Sequence, residues 1–412
     1  MSIANLSRSV IFSLLVLSAQ LAVVEKAEGA AADAARKSIE LAERDFNEKW
    51  SQDAAAALRA RGDAESRALA LLLTPAFTRP LPAVASARPG DQPVPAASII
   101  ADGNDAAAID EAAIEEAALT LEAEVGYVLD AIEQLPVEMR AVVVNELVAN
   151  SDAKSRLALG ARLAIAAPED FAGWLMQLAA LQSLEAEPAE VDALLLATAA
   201  SMHGTSPWYL SLVRRMDAAL AGVPAPAAQS PITWSDVLQP DAKAREGGIA
   251  LDQRIPLDSL RLFRPLGLVM AVGIPGFQPM FQACEQAVGT GSARARARAC
   301  TRIGRQLALH GATSIDASVG LAIWHRQVEG SPAEADVVTA KRRHHWQTEQ
   351  TLALMVELWA TPEGLLQYAA LIRSSTRDEL DLFRDLMRER GIPLTPPPQW
   401  LPANPAVLQA RR

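Results

Sequence analysis

Residues 168–207 read PEDFAGWLMQLAALQSLEAEPAEVDALLLATAASMHGTSP, and this stretch decides the fold class. Pro168, Pro188 and Pro207 lie 20 and 19 residues apart. A proline in the first helical position gives up no hydrogen bond, and its fixed φ suits the first turn, so each is read as a helix starter. Glu169, Asp170 and Glu190 follow closely, where the helix dipole favours negative charge. Between these signals Ala, Leu, Met and Gln dominate, all strong helix formers. The stretch is therefore two successive helices with their turns.

The same reading extends outward in both directions. Within a helical-repeat block at 109–222, Ile114, Ala118, Leu121, Val125, Val128, Leu129 and Ile132 recur at spacings of three and four, one stripe of a helix facing a neighbour. Pro136 starts another helix, and Ser151 is read as a cap. Upstream, residues 30–74 form a helical hairpin that turns at Arg61-Gly62-Asp63, Gly62 ending one helix and Asp63 capping the next. Residues 75–108, with Pro75, Pro80, Pro82, Pro89, Pro93 and Pro95, read as a linker. A second breaker-rich linker at 223–255 holds Trp234, read as its anchor. Residues 256–391 form a carboxyl-terminal helical block. In it Ser331-Pro332-Ala333-Glu334 is a capping box, Thr361-Pro362-Glu363 repeats the cap, and Leu380, Phe383, Leu386 and Met387 form an apolar stripe. Residues 392–412 are a proline-rich tail laid against the body.

Two helices with turns in about 39 residues fall inside the roughly 34 to 47 residue period of stacked helix-pair arrays. The unit Phe171–Ala180 followed by Val191–Ala197 resembles a degenerate tetratricopeptide-like repeat. Leu175 takes the first signature position, Leu178 and Ala179 the next two, and Leu195 the large apolar site of the second helix. Gln182 and Val191 depart from the signature, and its closing proline is missing. The chain is also similar to uncharacterised exported helical proteins of bacteria that carry two cysteines near the carboxyl end. The resemblance implies an all-α solenoid of helix hairpins with proline-rich linkers, in an exported protein, and implies no activity.

Composition agrees. Half of the 412 residues are hydrophobic but only 5% are aromatic, and Ala and Leu lead, which favours helix over strand. A net charge of -11 argues against nucleic-acid binding, which needs a basic footprint. That charge is unevenly spread: 19 acidic against 4 basic residues in 101–200, and 13 against 16 in 281–412. At the amino terminus Arg8 precedes an apolar run from Val10 to Val24, closed by small residues near Gly29. Residues 1–29 are read as a cleaved signal peptide, which places the mature chain in the bacterial periplasm or outside the cell, without stable membrane insertion.

Export makes a disulfide natural. Cys284 and Cys300 have their midpoint at residue 292, next to the turn signal Gly289-Thr290-Gly291-Ser292, so in an antiparallel helix hairpin they face one another at nearly one level. Arg294, Arg298, Arg302 and Arg305 share one face of the same helix, a basic stripe able to meet the acidic middle block, a partner, anionic surface components or solvent. Adjacent His344 and His345 point about 100° apart on a helix and share no metal easily; no metal site and no cofactor is expected. Lys341, Arg342 and Arg343 read as a solvated face. Ser151-Asp152-Ala153-Lys154 matches a Ser-x-x-Lys spacing without its companion motifs.

No residue stands out as catalytic. The expectation is a non-enzymatic scaffold that binds a protein or peptide, with Trp174, Trp208, Tyr209 and Trp324 as candidate contacts beside the arginine stripe. The alternative is an enzyme assembled from distant residues, such as Glu115, Glu116 and Glu122, or Arg302 with His325. A structural envelope component is a third reading.

Overall fold

The computed structural model describes residues 30–73, 123–147, 151–203, 208–225, 227, 229–238, 248–271, 277–285, 291–402 and 404–408. Among them the chain is all-helical; no β-strand occurs, and Thr233 and Arg254 form an isolated antiparallel bridge. The proposed signal peptide, the 75–108 linker, Ile114, Ala118, Leu121 and the carboxylates Glu115, Glu116 and Glu122 lie outside the described residues. No described helix is long and apolar enough to cross a membrane.

The chain divides into two units, residues 1–49 and 50–412. The described part of the first is helical residues 30–49 of α1 (Ala30–Arg61). In the second, α1 ends at Gly62, whose φ of +80° suits a residue without Cβ. Asp63 then accepts the Ser66 amide at 2.8 Å and starts α2 (Ala64–Leu73). Helical residues 123–130 and a 3-10 turn at Ile132–Gln134 bury Val128 and Ile132. There follow α3 (Val137–Leu147), α4 (Ala153–Ala166), α5 (Phe171–Ser183), α6 (Pro188–Ser201) and α7 (Trp208–Ala221). The single turn α8 (Trp234–Val237) leads to α9 (Leu257–Ala271), α10 (Gln278–Glu285), α11 (Gly291–His310), α12 (Ser314–Val328), α13 (Glu334–Trp359), α14 (Pro362–Ser374) and α15 (Glu379–Glu389).

Local chemistry sets the boundaries. The cap of α4 is Asp152 and not Ser151: its carboxylate accepts the amides of Lys154 and Ser155 at 2.9 and 3.0 Å, one acceptor satisfying two orphan donors. Pro188 opens α6, where Glu190 reaches back to the Glu187 amide. At 331–334 the expected box is displaced: Ser331 and Pro332 form a turn, α13 begins at Glu334, and that carboxylate accepts the Gly330 amide at 2.7 Å. Thr361 caps α14 by accepting from Gly364.

Two helix pairs approach until their backbones touch. In α4 and α5, a Cβ added to Gly173 would lie 2.6 Å from the Ala164 nitrogen and 2.9 Å from both the Gly160 oxygen and the Leu163 Cβ. In α11 and α12, a Cβ added to Gly320 would strike the Ala308 nitrogen and lie 2.6 Å from the Gly304 oxygen and the Leu307 Cβ. The first helices of the two pairs share a pattern: Leu159-Gly160-Ala161-Arg162-Leu163-Ala164-Ile165 and Ile303-Gly304-Arg305-Gln306-Leu307-Ala308-Leu309 have the same Gly, Leu and Ala and an aliphatic residue at each end. Each pair is followed by Pro-Ala-Glu-x-Asp, at Pro188–Asp192 and Pro332–Asp336; Gly160 to Gly304 and Pro188 to Pro332 both span 144 positions.

One core joins these pairs. Phe171, Leu175, Leu178, Leu195, Ala199 and Met202 pack with Met280, Cys284, Cys300, Ile303, Leu307 and Ile323, and the Phe171 and Phe277 rings stack at 5.8 Å. Beside it, Leu321, Trp324, Val328 and Val337 seal α12 to α13. The described part of 223–255 is packed: Trp234 is fully buried, and backbone bonds tie Ile255 to Ile232 and Ser235 to Leu251.

Candidate functional site

Cys284 and Cys300 are joined in a disulfide with Cα atoms 5.8 Å apart, inside the shared core and linking α10 to α11. Arg294, Arg298, Arg302 and Arg305 are all exposed on α11, with Arg305 5.8 Å above the Trp324 ring. The arginine that does meet the acidic middle block is Arg296, which the stripe skips. It is buried, pairs with Asp192 of α6 and also donates to the Pro188 carbonyl. Trp174 is half-buried and donates to the Pro168 carbonyl at 2.9 Å, while Trp324 is buried. Trp208 opens α7, and its side chain lies outside the described residues. Burial pushes the Tyr209 hydroxyl well above its usual range. Of the alternative pair, His325 is buried on α12 while Arg302 is exposed on α11.

A polar seam runs between α12 and α13. Lys341 is buried and donates to Nδ1 of His325, so the other ring nitrogen carries the proton and faces Glu334 Oε1 at 3.4 Å. Burial, then the Lys341 charge, lowers the His325 pKa. One turn on, Ser318 gives its own proton to the Ser314 carbonyl, and its oxygen is 2.8 Å from His344 Nε2, from which it accepts. Burial above all lowers His344 to about 4, and His345 is lowered by burial and by Lys341. These imidazoles are neutral at pH 7. Among the described residues no group of three His, Cys, Asp or Glu is placed to hold a metal ion.

A second titratable cluster comes from α7, α14 and α15. Burial raises Glu379 to about 7 although the Ser314 amide donates to it, and Asp316 and Asp378 push it further. Burial and the Glu379 charge raise the hydroxyl of Tyr368. Nearby, burial works against the Asp217 carboxylate, yet two-pronged bonding from Arg373 at 2.9 Å and a bond from Arg261 at 3.0 Å hold its pKa below the usual range. That network ties α7 to α9 and α14.

The outer face of α13 is the third constellation, and it already holds a peptide segment. After α15 the chain turns at Gly391, φ +68°, and runs back along α13. Trp346 Nε1 donates to the Pro393 carbonyl at 2.7 Å and the Gln347 amide to that of Leu394 at 2.9 Å. The Arg342 guanidinium donates to the carbonyls of Pro397 and Pro398, each at 2.6 Å, and of Trp400 at 2.7 Å. The Trp400 ring meets the Trp346 ring edge-on at 5.5 Å. Arg384 of α15 donates to the Gln347 oxygen at 3.5 Å, which turns the amide nitrogen toward the tail. The match is chemical: prolines lack an N–H, so the segment is rich in carbonyl acceptors, and Pro397–Trp400 closes as a turn in which the Trp400 amide donates to the Pro397 carbonyl at 3.0 Å. Arg342 and Trp346, four residues apart, supply donors from one helix face, and Gln347, the residue after Trp346, reaches the tail from about 100° round the helix. The sequence reading of Lys341 and Arg342 as a solvated face is thereby corrected, since one is buried and the other is bound to the tail.

The missed residues had a faint signal. Basic and aromatic residues cluster at 341–346 in a chain with a distant proline run, but their pairing depends on α15 reversing direction. No protein family, curated protein or solved structure matches the chain.

Proposed function

We propose that this chain is an exported helical-repeat scaffold that binds a protein or an extended peptide. The observation that carries the reading is the recurrence of one helix crossing. Gly173 of α5 and Gly320 of α12 meet corresponding neighbours on the preceding helix: the carbonyl of its glycine, Gly160 or Gly304, and a Leu and an Ala three and four residues after that glycine. Two hairpins of one design, each followed by Pro-Ala-Glu-x-Asp, are how a duplicated unit reads, and stacked duplicated helix pairs present extended surfaces to partners. The tetratricopeptide-like register supports this at α5 and α6, where Leu175, Leu178 and Leu195 are buried.

The disulfide supports an exported compartment. A bridge buried in the core forms and persists in an oxidising space, which fits residues 1–29 acting as a signal peptide and the mature chain residing in the periplasm or outside the cell.

The test is affinity capture from the exported fraction with the immobilised mature chain, followed by mass spectrometry. A partner lost on Trp174→Ala or Arg342→Ala, at unchanged melting temperature, supports the scaffold. No partner above the control, or loss only in variants that melt lower, overturns it. A catalytic reading has one favouring observation, the Glu379 carboxyl at about 7 beside Tyr368 and Tyr209. A carboxyl poised near neutrality suits proton transfer. Substrate turnover abolished by Glu379→Gln would favour it.

A further inference from the structure

The outer face of α11 carries positive charge that its surroundings leave unanswered. Arg294, Arg298, Arg302 and Arg305 are exposed, and among the described residues none of them meets a carboxylate; Arg305 alone lies against a ring, that of Trp324. We propose that this face docks an acidic, extended segment of a partner protein. The inference rests on the scaffold reading above and names its site and the chemistry of its ligand.

Three features carry it. First, the helix is built against its own electrostatics. From Gly291 to His310 it holds no acidic residue, and Arg294 falls in the first turn, where the helix dipole disfavours a cation. Like charges three and four residues apart weaken a helix further. On α15 the same problem is solved within one turn, Arg384 pairing with Asp381 and Arg388 with Asp385. On α11 the arginine that has a carboxylate partner is Arg296, on the opposite face and buried against Asp192. The helix holds because Ala299, Cys300, Ile303 and Leu307 lock its inner face into the core. A local rule broken where the surroundings enforce the structure marks a surface kept for a ligand.

Second, the spacing suits an extended chain. Residues four apart on a helix are about 6 Å apart along its axis, and alternate side chains of an extended segment are about 6.8 Å apart. Arg294, Arg298 and Arg302 therefore meet successive carboxylates of a segment that is acidic at every second residue, and each guanidinium can take its carboxylate through two parallel bonds. Third, the face favours a protein segment over an anionic bilayer. Leu309, 41% exposed, continues the row beyond Arg305 and adds an apolar contact at its end. The whole chain carries a net charge of -11, so an anionic bilayer repels most of it, whereas a single segment meets the stripe alone, with charges beyond roughly 8 to 10 Å screened.

The probe is a fluorescein-labelled peptide of alternating Glu and Ser with Leu at each end, titrated against the full-length chain by fluorescence anisotropy at low and at physiological salt. Arg294→Gln, Arg298→Gln and Arg302→Gln together should weaken binding at least about ten-fold, and the parent's affinity should fall as salt rises. Arg343→Gln, Arg377→Gln and Arg388→Gln together remove the same charge from other exposed positions and should leave binding within about two-fold of the parent. Leu309→Ser should weaken it a few-fold. The stripe variant should melt no lower than the parent, because it loses repulsion and no contact.

Equal weakening by the two triple variants overturns the proposal, since the peptide then reads net charge alone. So does a peptide that fails to bind the parent, or a stripe variant that melts several degrees lower, which makes these arginines structural. Vesicles of phosphatidylglycerol and phosphatidylcholine in equal parts that bind through the same arginines more tightly than the peptide make the occupant a membrane and also overturn it. The scaffold reading fails separately: a partner captured from the exported fraction that survives the stripe substitutions keeps that reading and removes this site, whereas no captured partner with peptide binding intact removes that reading and keeps the site.

Discussion

At residue scale the buried titratable groups set opposing pH dependences. His344 is lowered from 6.5 to about 4 by burial, with the charges of His345 and Arg384 adding to it. Unfolded, it takes up a proton as pH falls below 6.5; folded, it stays neutral until about 4. Stability is thus present above pH 6.5, lost between 6.5 and 4, and level below. At about 1.4 kcal/mol per unit of displacement this amounts to roughly 3 to 4 kcal/mol, and His325 and His345 act in the same direction. Glu379 has the reverse sign. Its carboxyl, raised to about 7 by burial, keeps its proton in the folded chain after the unfolded chain has lost it, so its contribution is complete below 4.5 and lost as pH rises to 7. Thermal melts from pH 4 to 8 separate the two. His344→Gln should flatten the acid limb, and Glu379→Gln should raise the melting temperature at pH 8 while changing little at pH 4. Parallel curves for both variants and the parent would show that neither group is shielded as described. None of this was legible in the sequence, where His344 and His345 are an adjacent polar pair. Only the backbone of α12 arriving opposite, with Ser318 in register, distinguishes the ring bonded to Ser318 from its neighbour.

Among elements, helix identity was legible and helix contact was not. Pro136, Pro188 and the Thr361–Pro362 pair mark the starts of α3, α6 and α14 because capping is local, decided within one turn. Leu175 and Leu178 were legible as core for the same reason, since a stripe is a property of one helix. Glycine is different: inside a helix it reads as a weak point, and its use appears only when a second backbone arrives. Gly173 and Gly320 are such positions, each touching the backbone of the preceding helix. The recurrence was visible in principle, because Leu163-Ala164 and Leu307-Ala308 follow their glycines at the same interval. It was hidden because the second helices diverge, Gln177 against Trp324 and Leu178 against His325, when aligned on Gly173 and Gly320. Gly173→Ala and Gly320→Ala should each destabilise by about 2 to 3 kcal/mol, since the added methyl meets main-chain atoms that do not yield. Gly126→Ala is the control: it lies in a helix, nothing is within 4 Å of its added Cβ, and alanine there should stabilise by roughly 0.5 to 1 kcal/mol. Urea denaturation of the three variants tests the contrast, and a loss at Gly173 no larger than at Gly126 would show that the helices separate freely.

For the whole molecule, the sequence carried one long-range fact, the pairing of Cys284 with Cys300, because an even pair around a turn has a single internal solution. The charge asymmetry carried another only in outline. Acidic and basic blocks do meet, at Asp192 and Arg296, but through an arginine outside the exposed stripe, since an ion pair at a packed interface must sit on the side that is buried. These two links lie on one surface: Arg296 and Cys300 are one turn apart on α11, and Leu195, Ala199 and Met202 of α6 share a core with Cys300. The disulfide therefore clamps more than the helices it joins. Cys284→Ala with Cys300→Ala should cost about 3 kcal/mol for a loop of 16 residues, with a further penalty for the altered packing of two core sulfurs. Because α4–α5 and α11–α12 reach the same core, amide exchange should accelerate in both hairpins, not in α10 and α11 alone. Reductant should lower the melting temperature of the parent and leave the double variant unmoved. Exchange that quickens only around 278–310 would mean that the two hairpins are stable independently, and the duplicated unit would then be a self-sufficient fold rather than a layer that needs its neighbour.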